Sequence, residues 1–98
     1  MDKSIIEIVN KNFINVNIFT TLTNTYYIVG ELRDSRYMVS KQTYYIVTKR
    51  IDGIDKYMGV YQKFDEVCDL LVCIINNELI IPNEMAKILS SFSGTPTI

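Results

Sequence analysis

The sequence predicts an α+β domain: an antiparallel meander of four or five strands, a central helix packed on one face, and a short helix at each terminus. Apolar residues recur at helical spacing near both ends and between residues 64 and 75. Between them, from residue 13 to residue 61, apolar and polar residues alternate as they do in strands. With 98 residues, the chain can bury one core, so residues 1–98 are treated as a single domain.

Ser4 and Glu7 have the spacing of a capping box, which predicts the start of a short N-terminal helix with Ser4 as its capping residue. Its apolar residues keep helical spacing up to about Lys11. From residue 13 to residue 20 the period changes to two, which predicts a half-buried strand.

An internal echo marks the centre of the chain. The sequence Thr-Tyr-Tyr-Ile-Val occurs at residues 25–29 and again at 43–47, and each copy leads to a polar turn and a Tyr-Met pair. Turns are predicted at residues 33–35 and 51–55, which gives two successive β-hairpins joined near residues 40–42. The echo is open to two interpretations: a repeated hairpin, or a good strand sequence that occurs twice.

The central helix is predicted to begin at Phe64, followed by two acids that suit its positive end, and to end at Asn76-Asn77. Its apolar residues extend beyond one stripe, so we expect it to be covered on more than one side. Pro82 is the predicted first residue of a last helix. The two terminal helices are expected to complete the helical layer, and residues 93–98 are expected to form a frayed tail.

The residue types exclude the common catalytic sites. The chain has no histidine, which removes Ser-His-Asp and Cys-His catalysis and most zinc sites. No glycine-rich phosphate loop is present. Asp52 and Asp55 flank Gly53 in a predicted turn, where aspartate is expected for backbone reasons. The acids at 65, 66 and 69 are accounted for by the start of a helix. We therefore expect no enzyme activity, no metal and no cofactor.

The net charge limits the kinds of partner, and the cysteine content indicates the compartment. The formal net charge is -1, which argues against a strongly basic surface for nucleic acid. Cys68 and Cys73 would point away from each other on a helix, which predicts free thiols in a reducing compartment. The sequence shows no signal peptide and no membrane-spanning stretch. We expect a cytoplasmic protein that does not associate with a membrane.

Tyrosine is the residue type that points to binding. There are seven, and most fall on the predicted sheet. Adjacent tyrosines on a strand point to opposite faces, so some must line the face that the helices leave open. They are either ordinary strand residues or, beside basic residues, anchors for a partner. The candidate binding residues are Tyr26, Tyr44, Tyr45, Lys49, Arg50, Lys56 and Tyr57.

Residues 45–75 also carry a family resemblance. They contain Lys-Arg-Ile-Asp-Gly at 49–53, Lys-Tyr-Met-Gly-Val-Tyr at 56–61 and Phe-Asp-Glu-Val-Cys at 64–68. This segment resembles the β-β-α unit of ethylene-response-factor-type DNA-binding domains and of the arm-binding domains of tyrosine integrases. The resemblance implies that the sheet enters the DNA major groove. It would place Lys49, Arg50, Lys56 and Tyr45 on the DNA.

Three functions are compatible with these observations. The favoured one is a protein-interaction module. Its length and its richness in Ile, Asn, Lys and Tyr suggest a phage- or virus-encoded accessory protein, such as an anti-CRISPR-like inhibitor of a host defence complex. The second is a sheet-face DNA-binding domain. The third is a structural homo-oligomer in which the tyrosine-rich face or a sheet edge pairs with a second copy, as a homodimer would.

Overall fold

A computed structural model describes residues 3–21, 23 and 25–92. All five strands form one antiparallel sheet in sequence order, which confirms the predicted α+β meander with its larger number of strands. The predicted tail at residues 93–98 lies outside the described residues. The elements are α1 (Lys3–Asn12), β1 (Ile14–Thr20), β2 (Tyr26–Leu32), β3 (Ser35–Lys41), β4 (Tyr45–Ile51), β5 (Ile54–Tyr61), α2 (Phe64–Ile75) and α3 (Glu84–Phe92).

The main core lies between one face of the sheet and the helices α1 and α2. This covered face of the sheet contributes Tyr26, Ile28, Tyr37, Val39, Tyr45 and Val47. The two helices contribute Ile5, Val9, Val67, Leu70, Leu71 and Ile74. The opposite face, called the open face here, is not part of this core.

The close approach of α1 to the sheet depends on Gly30 in β2. A Cβ atom at this position would lie 2.9 Å from the Cβ of Phe13 and 3.3 Å from the Cγ1 of Val9. Phe13 also meets Tyr37 edge to face, with ring centroids 5.7 Å apart. The junction between α1 and β1 is thereby packed against both β2 and β3.

Two connections adopt backbone conformations that their residues favour. Asp52 and Gly53 have φ angles of 52° and 78° and join β4 to β5 as a two-residue turn of the kind that Asp-Gly favours in hairpins. At the end of α2, Asn77 has a φ of 58°, its N–H donates to the Ile74 carbonyl at 3.1 Å, and the Glu78 N–H donates to the Cys73 carbonyl at 3.0 Å. The predicted turn and the predicted end of α2 are both confirmed.

The turn between β2 and β3 also supports the end of α2. Arg33 has a φ of 55° in this turn, and its guanidinium donates hydrogen bonds to the carbonyls of Ile74 and Ile75. Helix α2 has no basic residue in its own last turn. Arg33 therefore supplies the positive charge that stabilises a helix C-terminus, and it does so from a distant part of the chain.

Strand β1 is not the half-buried strand that its alternation predicted. Ile14 is 64% exposed and pairs with Glu31 on the open face, whereas Ile18 pairs with Ile28 on the covered face. The register shifts between Ile14 and Asn17, where Asn15 has a φ of 52°. This irregularity turns the two isoleucines to opposite faces, although they are four residues apart.

The Thr-Tyr-Tyr-Ile-Val echo is not a structural repeat. Lys41 of β3 pairs with Tyr26 on one side and with Tyr45 on the other. The first tyrosine of one copy and the second tyrosine of the other therefore share the covered face. Equivalent residues of the two copies therefore point to opposite faces of the sheet, which supports the interpretation that a good strand sequence occurs twice.

Details of the helices also differ from the predictions. Helix α1 begins at Lys3, so Ser4 lies in its first turn and is not the capping residue. Val72 on α2 is exposed, so this helix is covered on a narrower face than its sequence predicted. Cys68 and Cys73 are half-buried free thiols. In the described residues, none of the three helices combines the length and the apolar character that crossing a bilayer requires.

Helix α3 does not complete the layer formed by α1 and α2. It lies against β5, where the Asn83 Nδ2 donates to the Val60 carbonyl at 2.7 Å and the Oδ1 accepts from the Val60 N–H at 3.3 Å. The same oxygen accepts from the Ala86 N–H at 3.0 Å, which is a helix N-cap bond. The helix therefore begins at Glu84, and the prediction that Pro82 is its first residue is wrong.

We expect Gly30→Ala to lower the free energy of unfolding by about 1–3 kcal/mol, because the added methyl group meets the fixed Cβ of Phe13. Urea denaturation measures this. Gly59→Ala is the matched control: the atoms nearest to its Cβ belong to the far end of the half-buried Tyr61 side chain, which can shift more easily than a fixed Cβ, so the loss should be smaller. Equal stability of Gly30→Ala and the unaltered protein would contradict the packing described here.

We expect Asn83→Ala to lower the free energy of unfolding by about 1–3 kcal/mol, because two backbone groups of Val60 and one of Ala86 lose their partner. Amide hydrogen exchange should become faster at both Val60 and Ala86. In Asn83→Asp the carboxylate can still accept both N–H groups but cannot donate to the Val60 carbonyl, so its loss should be intermediate. Unchanged exchange at Val60 in Asn83→Ala would show that α3 is held in another way.

Candidate functional site

The open face presents three rows of side chains that run across the strands. The first row is Phe19, Tyr27, Ser40, Ile46 and Val60, and the second is Asn17, Val29, Met38, Thr48 and Tyr57. The third row is Ile14, Glu31, Arg36, Arg50 and Asp55. The first two rows are mostly apolar and aromatic, with Asn17, Ser40 and Thr48 as polar members, and the third is charged apart from Ile14. Ser40, Thr48 and Val60 are buried, so the accessible part of the face is smaller than the three rows.

The charged row is internally neutralised. Arg50 makes two hydrogen bonds to Asp55, from Nε to Oδ1 at 2.7 Å and from Nη2 to Oδ2 at 2.9 Å. Arg36 lies directly opposite Arg50 and approaches Glu31 at 3.7 Å. Two acids thus balance two bases, and each arginine of this face has a carboxylate beside it.

The Arg50–Asp55 pair also sets the ionisation of its members. The hydrogen bonds from Arg50 hold the pKa of Asp55 below its ordinary value, and the same bonds raise the pKa of Arg50. Since the pKa of Asp55 is lowered in the folded state, the stabilisation from this pair is present at neutral pH. It is lost as the pH falls through the pKa of Asp55 in the folded protein.

A shallow depression lies between the apolar and the charged rows. Its lining residues are Val29, Arg36, Met38, Thr48, Arg50 and Asp55, and its volume is about 210 Å³. Pockets for small-molecule ligands usually have volumes of roughly 300–1,000 Å³. The depression is therefore of a size to receive one or two protruding side chains of a partner.

The seven residues that the sequence singled out do not share one surface. Arg50 and Tyr57 lie on the open face, and Tyr44 is exposed in the connection between β3 and β4. Lys49 and Lys56 pair with each other on the covered face, where the Lys49 Nζ lies 5.7 Å from the centroid of the Tyr37 ring. Tyr26 and Tyr45 are only 4% and 7% exposed. These two tyrosines belong to the core and cannot contact a partner in this conformation.

Sequence reasoning missed other residues of the open face. Tyr27, Val29, Arg36 and Met38 lie on this face, but none was a candidate. Alternation along a strand separates its residues into two sets without showing which set faces the helices. The aliphatic Ile28 and Val39 are the local signal for the two faces. Aliphatic strand residues tend to be buried, and the neighbours of a buried strand residue must point to the other face.

A second concave region lies between α2 and the segment that leads to α3. Tyr61, Glu66, Asp69, Cys73, Leu79 and Ile81 are among its lining residues, and its volume is about 350 Å³. Burial and the nearby charge of Glu66 raise the pKa of Tyr61, so this hydroxyl keeps its proton beyond the ordinary range. In the described residues, no three acids or cysteines are grouped as a metal site would require.

Comparisons of this chain with protein-family models, with curated proteins and with solved structures found no match. The geometry of the sheet and of its surfaces is therefore the basis for assigning a function.

We expect Arg50→Ala to raise the pKa of Asp55 toward its ordinary value, because the carboxylate loses both hydrogen bonds. Titration of the Asp55 carboxyl followed by NMR measures the midpoint. Lys56→Ala removes the same charge from the neighbouring residue, whose side chain is on the other face, and should leave the midpoint almost unchanged. If the two variants shifted the midpoint equally, the pKa of Asp55 would depend on the general positive charge nearby and not on its hydrogen bonds with Arg50.

Proposed function

We propose that this protein is a non-enzymatic module that binds another protein through the open face of its sheet. The observation that carries this proposal is the apolar centre of a face that α1 and α2 leave uncovered. Tyr27, Val29, Met38 and Tyr57 are all half-exposed there. Apolar and aromatic side chains grouped on an uncovered surface are typical of binding sites, with aromatic residues and arginine as frequent anchors.

The placement of charge supports a protein partner over duplex DNA. Binding to phosphates needs cations that are free to replace counterions, but Arg36 and Arg50 already have carboxylates beside them. Lys49 and Lys56 point to the face on which the helices pack. A groove-binding surface of the kind implied by the family resemblance would need Lys49, Arg50 and Lys56 on one face, whereas here Arg50 points away from the two lysines.

The biological role that we propose for such a module is steric inhibition, as in a phage or viral protein that blocks a host defence complex. Steric inhibition needs a compact domain and one complementary face, and it needs no catalytic group. The compact domain and the continuous five-stranded sheet beneath the open face are compatible with these requirements. The depression beside Met38 would receive a side chain of the blocked partner.

The open face can be tested by comparing matched variants. Met38→Lys and Tyr57→Ala alter its centre, while Lys56→Ala changes the other face of the same strand. Proteins captured from host lysate by the unaltered protein should be lost with the first two variants and retained with the third. With the captured partner purified, Tyr57→Ala should weaken binding by at least tenfold, about 1.4 kcal/mol, as expected for an aromatic anchor. A partner retained equally by all variants would contradict the proposal.

The same proteins separate this proposal from the DNA hypothesis. Fluorescence anisotropy with a labelled mixed-sequence duplex at about 50 mM salt would reveal even a few phosphate contacts. We expect no binding that depends on salt. Binding that disappears at higher salt and in the Lys49→Ala, Arg50→Ala double variant would overturn the proposal in favour of nucleic-acid recognition.

A further inference from the structure

The two edge strands of the sheet, β1 and β5, differ in how far they are protected from pairing with another chain. At the β5 edge, the Asn83 carboxamide satisfies both backbone groups of Val60. This strand also contains a register shift and the charged residues Asp55 and Lys56. Capping groups, irregular pairing and charges are the features by which proteins prevent edge strands from pairing with other chains.

The β1 edge has a different character where its pairing is regular. The strand Ile14–Thr20 contains no charged residue and no proline. Phe19 is 56% exposed on the open face, and Ile18 is exposed on the other side. Such an edge, uncharged and partly apolar, is an available template for strand pairing.

The direction of the free backbone groups follows from the pairing with β2. The Thr21 N–H donates to the Thr25 carbonyl at 3.0 Å, so Thr21 is bonded toward β2. In an antiparallel pair the bonded residues alternate, so Phe19 is also bonded toward β2. Ile18 and Thr20 therefore direct their N–H and C=O groups away from the sheet. No bond from another described residue reaches this side of β1.

We propose that a second copy of this chain pairs with this edge in antiparallel fashion, about a two-fold axis that passes beside Phe19. In this register, Ile18 of each copy lies opposite Thr20 of the other, which allows four backbone hydrogen bonds. Phe19 lies opposite Phe19 of the second copy in the position without backbone bonds. There the two Cβ atoms are about 4.5–5.5 Å apart and an aromatic pair is favourable.

The extent of the regular pairing determines that the two-fold axis passes beside Phe19. Regular pairing begins only at Asn17, because Asn15 and the register shift distort the strand before it. Phe19 is the midpoint of residues 17–21. The occupant is a second copy because this edge has no charge with which to select a charged partner strand, while its donors and acceptors are complementary to themselves across a two-fold axis.

The pairing has a consequence for the shape of the assembly. A two-fold axis perpendicular to the sheet keeps each face on its own side, so both open faces would point in the same direction. The two five-stranded sheets would form one continuous sheet. Because two short strands bury less surface than the roughly 1,200 Å² of a stable interface, we expect weak association that shows only at high protein concentration.

Sedimentation velocity over a range from about 10 μM to 1 mM tests this inference, which is independent of the function proposed for the open face. The mass of the unaltered protein should rise from 11.3 kDa toward twice that value. Phe19→Lys and Phe19→Glu should each remain monomeric, because two like charges meet at the axis. An equimolar mixture of the two variants should recover the dimer, because opposite charges then meet.

Two further variants keep the test specific. Ile14→Lys places the same charge on the same strand but outside the paired segment, so it should dimerise as the unaltered protein does. Thr20→Pro removes an N–H that points to the free edge and should abolish the dimer. An unaltered protein that stays at 11.3 kDa at 1 mM would overturn the inference. So would a dimer that survives Phe19→Lys, or a mixture that stays monomeric although the unaltered protein dimerises. Circular dichroism checks that each variant is folded.

Discussion

The apolar layer between the sheet and the pair α1 and α2 determines which side chains remain available on the surface. Five strands spaced about 4.8 Å apart span roughly 20 Å, and two helices of about 10 Å diameter lying side by side cover that width. Burying each aliphatic side chain of the layer contributes about 1.5–3 kcal/mol. Since two helices are enough for this face, α3 is left for the β5 edge, where Val60 and Ala86 are buried. The centre of the opposite face, around Met38 and Tyr57, stays partly exposed.

The tyrosines show how this constraint divides residues of one type. Tyr26, Tyr37 and Tyr45 lie on the covered face and are buried, with lysine ammonium groups 5.8 and 5.7 Å from the ring centroids of Tyr45 and Tyr37. An aromatic ring with a polar tip suits the margin of a small core, and a lysine above its face adds a cation–π contact. Tyr27 and Tyr57 have the opposite orientation, and only such tyrosines can serve as anchors for a partner.

The remaining surfaces differ in the kind of partner that they can bind. The open face combines an apolar centre with a neutralised row of ion pairs, which permits contact with a protein but gives little attraction for phosphate. The β5 edge is closed by a side chain that imitates a peptide group, whereas the regular part of β1 is left unpaired. A partner bound at the centre of the open face, around Met38 and Tyr57, and a second copy on β1 would share only the region of Phe19, which lies at the margin of that face. Pairing at β1 would also place two open faces on one side.

The sequence by itself determined the class of the fold, the succession of its elements, the Asp52-Gly53 turn and the end of α2. These features depend on short-range periodicity and on the conformations that single residues favour. Only the tertiary structure decided which residues share a face. A shift of one residue in strand pairing exchanges the two faces, so Tyr26 and Tyr45 became core residues and Ile14 turned to the open face. Asn83 and Arg33 act on backbone groups of distant elements, and no local pattern can reveal such partners, because the chain brings them together only when it folds.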